Sequence, residues 1–65
     1  MAKRGDRVTF VDENGRSQNA EARGVINEND PLSTMNLHVL TEHDERTSVP
    51  NEAHKVAGAG FWRAL

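Results

Sequence analysis

The chain has 65 residues, 35% of them hydrophobic, with 8 Lys/Arg against 10 Asp/Glu and no cysteine. A chain of this length buries only about 60% of its unfolded surface, too little to wall the deep pocket of a self-contained enzyme and little enough to make a partner, or copies of itself, a source of stability. The absent cysteine excludes disulfides, thiolate metal sites and thiol nucleophiles, and a formal charge of −2 argues against a domain built to neutralise nucleic acid with clustered cations.

Arg7-Val8-Thr9-Phe10-Val11 is rich in β-branched and aromatic residues, which suit a pleated surface. It predicts a strand over residues 6–12, with Val8 and Phe10 on one face and Thr9 and Val11 on the other. Asp12-Glu13-Asn14-Gly15 follows, and Asn-Gly between two such runs signals a hairpin turn. Residues 18–27 form the returning strand. Ala20, Ala22, Gly24 and Ile26 share its inner side, and Glu21, Arg23 and Val25 the outer one. The Ala and Glu content admits a helix, but the period-two alternation and Gly24 favour a strand, with Gly24 the natural place for a bulge.

Residues 28–34 read as a loop fixed by Pro31. Met35 to Thr41 alternates cleanly with Met35, Leu37 and Val39 inward. Glu42-His43-Asp44-Glu45 is a polar turn, residues 46–49 return as a short strand, and Pro50 ends its pairing. Residues 51–60 read as a loop or a single helical turn capped by Asn51. Phe61 to Leu65 forms a last short strand.

Five short strands with regular turns read as all-β. At this length the economical arrangement is a five-stranded SH3-like barrel of two hairpins and a short C-terminal closing strand, because closure removes exposed edges. The expected core is Val8, Phe10, Ile26, Leu37, Val39 and Val49. A single domain spans residues 1–65, with 1–5 as an N-terminal arm. No hydrophobic segment follows Lys3-Arg4 as in a secretory signal, and no apolar run approaches the ~18 residues of a membrane span.

No catalytic constellation emerges. His38 falls on the polar side of its strand, His43 in a turn and His54 in a loop, so the spacing favours no convergence on a metal ion. Asp12, Glu13, Glu42, Asp44 and Glu45 lie at two wet hairpin tips, where burial cannot separate carboxyl pKa values for acid–base work. They read as solubilising turns or a charged contact. Ser17, Ser33 and Ser48 have no histidine at an informative position, and Gly5, Gly58 and Gly60 do not make a phosphate loop. Arg4, Arg7, Arg16, Arg23, Arg46, Lys55 and Arg63 are interspersed with acids, and only three aromatics exist for stacking. A nucleic-acid module is therefore the minor alternative. No enzyme, cofactor or metal is expected.

Phe61-Trp62 is the most informative pair. On a strand the two rings face opposite ways, so either one plugs the interior and the other lies over a loop, or the outward ring, or Leu65, anchors a neighbouring subunit. Trp and Arg are frequent anchors of protein interfaces, and Trp62-Arg63 supplies both. Leu32 in the 28–34 loop adds an exposed apolar group. The candidate partner-binding residues are Leu32, Phe61, Trp62, Arg63 and Leu65.

The stretches Gly5-Asp6-Arg7-Val8, Asp12-Glu13-Asn14-Gly15, Met35-Asn36-Leu37-His38-Val39, Ser48-Val49-Pro50-Asn51 and Gly60-Phe61-Trp62-Arg63 resemble the pattern of very small SH3-like β-barrel virion proteins of tailed bacteriophages. Asn51 stands where that pattern has a His after Val-Pro, and Ala64 where it has a second Trp. The resemblance implies a virion component without enzymatic activity. It would be a capsid decoration or cement protein made in the host cytoplasm, bound as multiple copies to the major capsid protein on the outside of the head. Head–tail joining and minor tail roles fit the same residues less well.

Overall fold

A computed structural model describes residues 3–65. The chain is all-β: five antiparallel strands in one sheet, ordered β4-β3-β2-β1-β5. They are β1 (Arg7–Val11), β2 (Ser17–Val25), β3 (Met35–Val39), β4 (Asp44–Val49) and β5 (Phe61–Ala64), with one short 3₁₀ turn at Glu52–His54. The five expected strands are therefore present, each within a few residues of its expected limits. Asn51 caps the 3₁₀ turn, its side chain accepting from the Ala53 N–H at 2.9 Å.

The sheet is open, which corrects the expectation of a closed barrel. No ladder joins the edge strands β4 and β5. They meet at a single parallel bridge between Asn51 and Trp62, where the Trp62 N–H donates to the Pro50 carbonyl at 2.9 Å. The physical reason is Pro50: it has no N–H to offer, and the chain turns into the 3₁₀ segment directly after Asn51.

Two bulges curl the sheet, and both lie opposite Asn36 of β3. On β2 the register shifts between Ala22 and Gly24. On β4 two residues, Thr47 and Ser48, fall between the Arg46 and Val49 pairings while β3 supplies only Asn36. Ser48 adopts a positive φ of 53° there, and its N–H donates to Asn36 Oδ1 at 3.0 Å. An extra residue bends its strand and tightens the local twist.

The β2 bulge also corrects the expected core. Because a side chain changes face with each residue, the extra residue turns Val25 inward, opposite Met35, where it packs against the core. Ile26 is turned out and is 66% exposed. The other expected core residues, Val8, Phe10, Leu37, Val39 and Val49, are buried together with Ala20, Ala22, Met35 and Trp62. Small Ala20 and Ala22 let the strongly curved sheet fold over Phe10, Met35 and Leu37.

The chain exposes 4124 Å², matching the ~4,100 Å² that the surface of a folded monomer of this mass should have. It thus possesses an interior of its own. Of the expected N-terminal arm, residues 1–2 lie outside the described residues. Residues 3–6 form a turn stitched to β2: the Gly5 N–H donates to Ala22 O at 2.8 Å, and the Ala22 N–H to Asp6 O at 2.8 Å.

Candidate functional site

The five candidate residues separate by the alternation of β5. Phe61, Trp62, Arg63 and Ala64 pair with Val11, Phe10, Thr9 and Val8 of β1. Trp62 therefore points inward with Phe10, while Phe61 and Arg63 point outward with Val11 and Thr9.

Trp62 is the plugging ring, 3% exposed. Its indole Nε1–H donates to the carbonyl of Ser33 at 3.0 Å, so the one polar atom of the ring is satisfied inside the fold. Ser33 is itself buried; its hydroxyl accepts from the Asn27 N–H and donates to Thr34 O, both at 2.9 Å. That hydroxyl holds the loop in shape. Phe61 is half-buried, with the Lys55 ammonium 5.1 Å from its ring centroid. The Lys55 charge thus sits over the outward ring.

Leu32 and Leu65 are exposed, at 41% and 79%. Both belong to the end of the sheet where β2 joins β3 and where β5 finishes. Ile26 emerges at this same end, and among the described residues these three are most of the large apolar side chains left exposed, Val56 being the other. Beside them an open cleft of about 280 Å³ is lined by Asp6, Arg7, Pro31, Met35, Trp62 and Leu65, among others. Trp62 contributes to this cleft from below without leaving the core. The exposure of Ile26 was concealed in the sequence: the bulge that turns it out is signalled only by Gly24.

The opposite end carries the hairpin tips and is acidic. Asp12 organises the β1–β2 turn, its carboxylate accepting from the backbone N–H groups of Asn14 and Arg16, both at 2.9 Å, and from Gln18 Nε2 at 3.2 Å. Arg46 reaches this end from β4, its guanidinium 5.3 Å from the Phe10 centroid, with Glu13 at 3.7 Å and Asp44 at 3.1 Å. Arg16 lies 3.6 Å from Glu42, joining the two tips. His38 pairs through Nδ1 with the Glu45 carboxylate, and its ring centroid is 6.0 Å from that of His43. Among the described residues no three His, Cys, Asp or Glu side chains are placed to hold a metal ion. Nor is any described helix long and apolar enough to cross a membrane.

Arg63 stands apart from both ends. With Thr9 and Asn19 it forms one cross-strand row on the outward face of β5, β1 and β2. There it lines a second, polar cleft of about 360 Å³. The candidate residues thus divide three ways: Leu32 and Leu65 at the apolar end with Trp62 beneath the cleft, Phe61 under Lys55, and Arg63 on the polar face.

No protein-family model matches the chain, and no curated protein or solved structure shows significant similarity to it.

Proposed function

We propose that the chain is a non-enzymatic structural subunit that docks on other protein subunits, and that it serves as a decoration or cement protein on the outer surface of a tailed-phage head. The observation that carries the docking role is the gathering of Ile26, Leu32 and Leu65, all solvent-exposed, at one end of a chain whose interior is otherwise closed. Exposed apolar groups at one end, with Asp6 and Arg7 lining the cleft beside Leu65, have the mixed apolar and polar character of a modest protein interface. Many weak contacts of this kind, repeated over a lattice, add up to firm attachment. The capsid assignment is supported by the resemblance of the five short motifs to small phage virion proteins, and an all-β sheet of this size is compatible with it.

The test is co-sedimentation of the purified chain with phage heads assembled from a major capsid protein. Saturable binding at a fixed ratio to capsid subunits is the expected result. Binding to isolated tails and not to heads would replace the head role by a tail one. Binding to neither would remove the virion role.

A further inference from the structure

We infer that the polar cleft around Arg63 and Arg16 is a second docking surface, one that takes the carboxylate side chains of an acidic segment on another protein subunit. The inference rests on the protein-docking reading above and gives the molecule two unlike faces. Arg63, Thr9 and Asn19 sit opposite one another on β5, β1 and β2, so the row spans two strand spacings, about 10 Å. Arg16, Ser17, Gln18 and Thr41 complete the cleft, and no carboxylate lines it. Hydroxyls, two amides and two guanidinium groups therefore line the same space, a donor-rich set suited to carboxylate oxygens.

The two arginines are available. Among the described residues Arg63 makes no ion pair, and Arg16 has only the 3.6 Å contact with Glu42, its own side chain 70% exposed. A loose exposed pair of this kind exchanges readily. Arg7 and Arg23 extend the same outward face, which also carries Glu21 beside Arg23 and Glu45 paired with His38. A chain with a net charge of −2 thus still places Arg7, Arg23 and Arg63 on one side of its sheet.

One observation favours an acidic peptide over single-stranded nucleic acid. The outward aromatic on this face, Phe61, is partly buried and carries the Lys55 ammonium 5.1 Å from its ring centroid, which makes it a poor platform for base stacking.

The experiment is a titration of the isotopically labelled full chain at low salt, followed by amide chemical shifts. The probes are a hexaglutamate peptide and, in parallel, hexathymidylate. The peptide should shift the amides of Thr9, Ser17, Asn19 and Thr41. Arg16→Gln/Arg63→Gln should bind it at least roughly tenfold more weakly, since charge-assisted contacts dominate such a site. Lys3→Gln/Arg4→Gln, which removes the same charge away from the cleft, should bind as the wild type does. Unmoved cleft amides, equal weakening in both double variants, or hexathymidylate binding as tightly as the peptide would each overturn the inference. No heads are present in this titration. Its failure therefore removes the cationic surface alone, while failed head co-sedimentation removes the docking reading on which it builds.

Discussion

The indole N–H of Trp62 and the carbonyl of Ser33, 29 residues apart in the chain, share a buried 3.0 Å hydrogen bond. This bond fastens β5 to the β2–β3 loop and so fixes where Leu65 and Leu32 stand relative to one another. The apolar end is therefore preformed by the core, and its ordering cost is met during folding rather than on docking.

Trp62 consequently belongs to stability first. Trp62→Ala should cost about 3–5 kcal/mol, comparable to the whole stability of a domain this size, ~3–10 kcal/mol. Trp62→Phe should cost less, about 1–3 kcal/mol, chiefly by leaving the Ser33 carbonyl without its partner. Urea melts of the two variants check the order.

Gly60 is required for a steric reason. A Cβ there would lie 2.8 Å from Phe10 Cζ, 2.9 Å from Phe10 Cε1 and 3.1 Å from the Val11 carbonyl. The ring is held in the core and the carbonyl is backbone, so neither can yield cheaply. Gly60→Ala should destabilise by about 1–3 kcal/mol, seen as a lowered melting temperature.

Asp12 tests the turn. Its Oδ1 accepts from both the Asn14 and Arg16 N–H groups, so Asp12→Ala should cost about 1–2 kcal/mol. Asp12→Asn retains an equivalent oxygen and should recover most of that loss. Thermal melts of the pair decide whether hydrogen bonding or charge matters at this position.

Leu32 and Leu65 should behave in the opposite way to Trp62. Leu32→Ser/Leu65→Ser removes exposed groups and should leave the melting transition close to wild type, within about 0.5 kcal/mol per site. Co-sedimentation with heads should fall by roughly tenfold or more, since apolar anchors carry most of a small interface.

Much of this was legible in the residues. Period-two alternation located β2 and β3, β-branched and aromatic content located β1, the Asp-Glu-Asn-Gly turn marked the first hairpin, and Phe10, Leu37 and Val39 went to the interior as their positions required. What stayed hidden depends on pairing. The parity of Ile26 depends on an extra residue that only the partner strand β3 reveals. Openness of the sheet depends on where Pro50 falls relative to Trp62. The cations looked dispersed along the chain because Arg7 and Arg63 are far apart in sequence. They share a face because β5 pairs with β1, a non-local fact that composition cannot carry.

Backbone amide exchange of the chain, free and bound to heads, addresses the docking claim most directly. Slowed exchange on binding, concentrated at residues 26–34 and 62–65, is the predicted result. Slowing confined to β3 and β4, with the Leu32 and Leu65 amides exchanging as in the free chain, would contradict it.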